Sequence, residues 1–234
     1  MARLTAPAQP LRFNAPNTMD GRTLLASLRE GVVATCFFDP QYRGVLDKLR
    51  YGNEGARQKG RATLPQMSSD IITQFVTAIS RMLRPTGYLF LWMDTYHLCE
   101  NSVKRWITET TLQVVDLITW DKQKMGMGYR TRRQCEYLVV LQKAPLQAHH
   151  VWTRRDIPDI WTEKISTDPR FPHRKPLALQ KDLILATTQR GDLVVDPAAG
   201  SYVVFEACQA VGRDFLGCDL REPPAAPEET CEQP

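Results

Sequence analysis

The stretch Val32-Val33-Ala34-Thr35-Cys36-Phe37-Phe38 runs directly into Asp39-Pro40-Gln41-Tyr42. A β-favouring run without polar alternation predicts a strand buried on both faces, as in a parallel sheet. Proline has no N–H to continue a ladder, so Pro40 stops the strand and leaves Asp39 on a rigid turn at its carboxyl end. Open α/β sheets bind ligands at that edge. A lone Asp-Pro does no more than end a strand. A second stretch, Leu193-Val194-Val195-Asp196-Pro197-Ala198-Ala199-Gly200-Ser201, repeats the arrangement: strand, Asp-Pro, then small residues opening a helix. Two such edges predict two ligands that meet.

Outward from these corners the periodicity alternates between strand and helix. Leu11-Arg12-Phe13-Asn14 reads as a short strand, and Arg22 to Glu30 as a helix with Leu24, Leu25 and Leu28 on one face. Ser68 to Leu83 reads as a helix capped by Ser68 or Ser69 and ended by Pro85. Tyr88 to Met93 is a buried strand, Tyr96 to Ile107 a helix, and Leu112 to Trp120 a strand. Glu136 to Gln142 is the next strand, close enough to its predecessor to pair antiparallel. Leu177 to Arg190 is a helix stopped by Gly191, Val203 to Val211 another, and Asp214 to Asp219 the last strand. The alternation predicts an α/β fold: a doubly wound, mostly parallel sheet with one antiparallel strand. Residues 1–220 are expected to form one domain, preceded over 1–9 by a loose leader; the Glu- and Pro-rich tail 221–234 is expected to be disordered.

With 234 residues, 43% hydrophobic and 24% charged, the chain has the composition of a globular protein rather than a fibrous or disordered one. The six cysteines are scattered without a C-x-x-C pair, which argues against a zinc site and for small core residues in a reducing compartment. No apolar run approaches the ~18 residues of a membrane span, and the start of the chain lacks the apolar region of a signal peptide. A soluble, cytoplasmic protein with no metal and no membrane partner is expected. The net charge of +4 is weak, but it clusters. Lysines and arginines crowd residues 43–61, 122–133 and 154–175, and such clusters neutralise phosphates.

The ordered set of motifs resembles the DNA amino-methyltransferases, which use S-adenosylmethionine to methylate adenine N6 or cytosine N4. The resemblance runs from about Leu11 to Leu220 and is closest to the permuted group, in which a D-P-P-Y motif precedes D-P-F-x-G-S-G. Beyond the two Asp-Pro corners it includes Trp120-Asp121-Lys122, Gly128, Arg132, Arg133, Glu136 and Tyr137. It continues through His173-Arg174-Lys175-Pro176 and Gly212-Arg213-Asp214-Phe215-Leu216-Gly217-Cys218-Asp219. It implies a Rossmann-like methyltransferase fold and a target base extruded from the duplex. The amine of such a base is a poor nucleophile because its lone pair is delocalised into the ring. Asp39 and the Pro40 carbonyl would accept its two N–H groups, Gln41 could add a hydrogen bond, and Tyr42 would stack on the base.

For the cofactor, the resemblance implies that Asp196 faces the ammonium of S-adenosylmethionine and that Pro197, Ala199, Gly200 and Ser201 bring the backbone close. Asp219 would take the ribose hydroxyls, Asp20 the adenine amine, and His173 with Lys175 would close the pocket near the methionine carboxylate. Arg43, Lys122, Lys124, Arg130, Arg132, Arg133, Arg154 and Arg155 are the expected phosphate contacts on DNA. Segment 144–172 is the candidate target-recognition segment; its shortness predicts a short or relaxed recognition sequence, or help from a second subunit, a homodimer included. Adenine is favoured over cytosine because the catalytic motif leads with aspartate.

Three departures from the family pattern leave rival readings open. Gln41 stands where the second proline is usual, and Tyr202 where a glycine is common, beside Ala198 in place of an aromatic residue. A positive φ at position 202 would strain a tyrosine, so either the loop differs or the site is weaker. The rivals are a catalytically impaired cofactor- or nucleic-acid-binding protein of the same fold, an RNA adenine methyltransferase and a DNA cytosine-N4 methyltransferase.

Overall fold

A computed structural model describes residues 10–42, 66–126, 131–166 and 174–222. The leader, the whole basic stretch 43–61 with Arg43, the end of segment 144–172, the tail from residue 223, and Gly128, Arg130 and His173 lie outside the described residues. In chain order the elements are β1 (Pro16–Thr18), α1 (Gly21–Ser27), β2 (Val33–Phe38), α2 (Ser69–Met82), β3 (Leu83–Met93), α3 (Thr95–Cys99) and α4 (Ser102–Trp106). They continue with β4 (Leu112–Asp121), β5 (Cys135–Lys143), β6 (Ile160–Thr162), α5 (Leu177–Thr187), β7 (Leu193–Asp196), α6 (Val203–Val211) and β8 (Asp214–Asp219).

The strands join one sheet in the order β1-β8-β7-β2-β3-β5-β4-β6. Every neighbouring pair is parallel except those of β5, which runs against both β3 and β4. The expected α/β architecture with a single reversed strand is what the chain adopts. All six residues of β2 are buried, as an apolar run at the centre of a parallel sheet requires. Helices cover both faces. On one, Leu24 and Leu25 of α1, Ile72, Phe75, Val76, Ile79 and Met82 of α2, and Trp106 of α4 pack over the sheet. On the other, Leu179, Leu183 and Ile184 of α5 and Val204, Ala207 and Cys208 of α6 do the same. Burying each of these larger side chains contributes roughly 1.5–3 kcal/mol. No helix among the described residues is long and apolar enough to cross a membrane.

Four sequence expectations are corrected. The first strand is Pro16–Thr18 rather than 11–14: the Asn17 side chain takes both the N–H and the carbonyl of Arg12, and Asn14 turns at φ 53°. The helix expected over 96–107 is two short ones, broken where Asn101 adopts a left-handed φ of 54°. Helix α5 stops at Thr187, well before Gly191; the Thr187 and Thr188 hydroxyls donate to the Leu183 and Ile184 carbonyls and Thr188 turns extended. Segment 144–172, to which the sequence assigns no element, contributes β6, which pairs Trp161 with Trp120 of β4; at three residues it has no detectable period.

Candidate active site

Strands β2 and β7 are neighbours and parallel, with Thr35 opposite Val194 and Cys36 opposite Val195. Continued by one residue to Asp196 and by three to Asp39, that register brings both Asp-Pro corners to the same carboxyl rim. Asp39 follows the last β2–β3 pair, Phe38–Leu91. The chain beyond it is tied down when Met67 donates its N–H to the Gln41 carbonyl (2.9 Å) and bridges to Tyr42. The Tyr42 hydroxyl donates to the Trp92 carbonyl, and its ring lies 4.6 Å from that of His97 and 6.0 Å from that of Trp106. Trp106 in turn donates to the Ser69 hydroxyl (2.9 Å), and His97 is held by Asp94 (2.8 Å). Tyr42 is therefore fixed in orientation before any ligand arrives. Burial pushes its hydroxyl well above the ordinary tyrosine range.

The second corner is drier. Asp196 is 5% exposed, its backbone pairs with Gly217 of β8, and its Oδ1 accepts the Ala198 N–H at 3.2 Å. Among the described residues no ion pair reaches it. Burial, reinforced by the fields of Asp39 and Asp219 and resisted by the Ala198 N–H, raises its pKa to about 8. Behind it, Gly200 takes φ 50° and donates its N–H to Asp219 Oδ2 at 3.0 Å, joining the loop to the end of β8. Ser201 follows, and Pro197 and Ala199 are buried beneath. Gly21 abuts this loop: a Cβ there would stand 2.1 Å from the Pro197 carbonyl oxygen, so only glycine allows α1 to approach. The approach brings Asp20, the N-cap of α1, beside the rim, its carboxylate held by Arg22 at 2.7 Å and its pKa lowered by that contact. Tyr202 does adopt the left-handed conformation (φ 54°, ψ 27°). The loop keeps its turn and carries tyrosine in it, with the hydroxyl donating to the Asn17 carbonyl of β1 at 2.9 Å.

Lys175, expected near the methionine carboxylate, holds the first corner. Its ammonium lies 3.1 Å from Asp39 Oδ2, 2.7 Å from Glu136 Oε2 and 4.8 Å above the Trp92 ring. Glu136, which the resemblance named without a role, also accepts Lys122 at 3.2 Å. Desolvation would raise the Glu136 pKa, but Lys175 and Lys122 hold it at about 2. Glu163 was missed altogether. Its carboxylate accepts the Ala178 and Leu179 N–H groups (3.1 and 3.2 Å) and the Trp161 indole N–H (2.8 Å), so it caps α5 two residues after Lys175-Pro176. A glutamate after an isolated three-residue strand gives no local signal of that role.

The chain matches the DNA methylase family, whose name specifies N6 and N4 methylases, over residues 33–224. It belongs to that family. The type II methyltransferase M.HhaII of Haemophilus parahaemolyticus is 56% identical over 209 residues, covering 88% of this chain and 91% of that one. Among solved structures, the cytosine-N4-specific PvuII DNA methyltransferase aligns with a TM-score of 0.66 at 17% identity, covering 88% of this chain and 82% of that one. A complex of M1.HpyAVI with SAM aligns at 0.62 and 16%, covering 88% and 92%. At these identities the two structures speak for the fold alone.

In this DNA methylase the basic residues separate into two kinds. Lys122 is paired with Glu136, and Arg154 lies between Asp156 (2.6 Å) and Asp182 (2.5 Å). Lys124, Arg132, Arg133 and Arg155 are exposed, the first three on the turn between β4 and β5 at the same rim as Asp39. Arg132 is steered by a bond from its Nε to the Gly126 carbonyl at 2.7 Å.

Proposed function

We propose that the chain transfers a methyl group from S-adenosylmethionine to an exocyclic amine of DNA, with adenine N6 as the target. The observation that carries this reading is the placing of two Asp-Pro corners at the ends of adjacent parallel strands, one already holding a cation and the other holding none among the described residues. A cationic ligand fits the second corner: Asp196 is a buried carboxylate, and the Gly200 turn gives close backbone access, with Asp219 behind it. S-adenosylmethionine, when bound, supplies a methyl group on a sulfonium and so carries its own leaving group. The protein's work is then positioning and electrostatics.

Asp39 accepts one N–H of the target amine and the Pro40 carbonyl the other, drawing the nitrogen lone pair out of the ring. Tyr42 presents its ring to the extruded base, and Gln41, exposed at the rim, offers an amide to it. Asp219 receives the ribose hydroxyls, and Lys124, Arg132, Arg133 and Arg155 take the phosphates. Aspartate at the head of the catalytic motif supports adenine over cytosine. Incubation with labelled S-adenosylmethionine and unmethylated DNA, RNA or no nucleic acid, followed by nucleoside chromatography, tests the proposal. Label in N6-methyladenine from DNA is expected. Label in N4-methylcytosine would overturn the adenine assignment, and no transfer would overturn the enzymatic reading.

A further inference from the structure

Four charges alternate along the rim from the basic β4–β5 turn to the first corner: Lys122, Glu136, Lys175 and Asp39, with contacts of 3.2, 2.7 and 3.1 Å. Each comes from a different part of the chain: the end of β4, the start of β5, the approach to α5 and the end of β2. Lys175 is 15% exposed, its ammonium caught between two carboxylates and the Trp92 ring, and the backbone after it is fixed by the Glu163 cap on α5. An ion pair with Asp39 alone would let the lysine follow the aspartate. Bonding to Glu136 anchors the ammonium independently, so it stays in place when Asp39 turns toward another donor.

We infer that Lys175, anchored by Glu136 and Trp92, is a positioning residue that keeps Asp39 ionised and therefore able to accept the N–H of the target amine. The inference rests on Asp39 being the acceptor for the amine, as proposed above. The need for a fixed cation follows from what else faces Asp39: the carboxylate of Glu136 on β5, the protonated carboxyl of Asp196 on β7, and the hydroxyl of Tyr42, itself near Asp94; none of these supplies a positive charge. Lys122 acts only through Glu136. Surrounding protein withdraws water from the Asp39 carboxyl and raises its pKa, Lys175 opposes that rise and Glu136 adds to it. Without Lys175 the carboxyl would hold its proton at higher pH and present an O–H where the amine needs an acceptor.

The decisive experiment combines two readouts on Lys175→Met, Lys175→Arg, Glu136→Gln and the double variant Lys175→Met/Glu136→Gln. The first is carboxyl ¹³C NMR titration of the free aspartate-labelled protein, with the Asp39 signal assigned by its loss in Asp39→Asn. The second is the pH dependence of methyl transfer from labelled S-adenosylmethionine to unmethylated DNA. Lys175→Met should raise the Asp39 titration and the acidic limb of the rate profile together by about one pH unit or more. Lys175→Arg should restore both, and adding Glu136→Gln to Lys175→Met should bring both back down. Loss of rate at every pH with an unmoved Asp39 titration would reduce Lys175 to a structural role and overturn the inference. If Lys175→Met does not fold, Lys175→Gln takes its place and must raise the Asp39 titration, and its failure to do so is equally fatal. A wild-type protein that transfers no methyl group refutes the proposed function, while the NMR arm still decides whether Lys175 governs Asp39.

Discussion

The two Asp-Pro corners are nearly the same in sequence and opposite in electrostatics. Asp39, 41% exposed at its side chain, already holds Lys175, which Glu136 shares. Asp196 is buried, has no cationic partner among the described residues, and keeps its proton up to about pH 8. Each corner thus lacks a different charge. The first is complete within the protein and needs only a neutral donor such as an amine. The second becomes a stable carboxylate only when a ligand brings the positive charge.

The comparison breaks most visibly if Asp39 and Asp196 turn out to be interchangeable. Asp39→Ala should lower the methyl-transfer rate by roughly 10²–10⁴ while the dissociation constant for S-adenosylmethionine stays near wild type. Radiolabel transfer and calorimetric binding measure the two quantities separately. Equal damage to rate and cofactor binding would show that the corners do not divide the work.

Asp196→Asn should do the converse, weakening cofactor binding by roughly 10–100-fold, the value of a hydrogen bond to a charged group. Its pH signature is more telling. In the free protein Asp196 is protonated below about pH 8, and a cationic ligand must displace that proton. Wild-type affinity should therefore rise with pH towards 8 and level off above it, and binding near neutrality should release a proton. Asp196→Asn carries the ligand's own titration as the control and should lack this rise. Stability without ligand follows the same linkage. The folded protein holds the proton up to about pH 8 and the unfolded chain loses it near pH 4, so Asp196 makes the fold less stable as pH rises between them. Asp196→Asn should flatten that part of the melting-temperature profile, and an unchanged profile would mean that Asp196 is ionised in the free protein.

The corners themselves were legible because each joins two strong local signals, an apolar run and a proline that ends it. The sheet, the reversed β5 and the limits of β7, α6 and β8 followed from periodicity in the same way. What connects the corners to the rest of the rim was not legible. Lys175 and Glu136 are 39 residues apart and Lys175 and Asp39 farther still, and nothing local marks a lysine that will sit between two acids rather than in solvent. Lys122 and Arg154 show the same limit: a basic cluster in sequence does not reveal which members already face carboxylates. Asn101 and the Thr187-Thr188 pair broke helices through backbone geometry and hydroxyl bonds that an apolar stripe does not register.

Tyr202 sharpens the contrast on the side of the second corner. A tyrosine at φ 54° carries a left-handed strain of about 1–2 kcal/mol, yet the residue is only 6% exposed and its hydroxyl reaches the Asn17 carbonyl across 185 residues of chain. Tyr202→Phe removes only that bond and should cost about 1 kcal/mol, read as a lower denaturation midpoint with an unchanged slope. Tyr202→Gly relieves the strain but empties the ring's place in the core. Large-to-small changes at buried aromatics cost about 3–5 kcal/mol, more than the relief, so the glycine variant should be the least stable of the three. If the glycine variant instead matched wild type, the tyrosine would contribute nothing that offsets its strain. The second corner would then be held by Gly21 and β8 alone rather than also strapped to β1 through Tyr202.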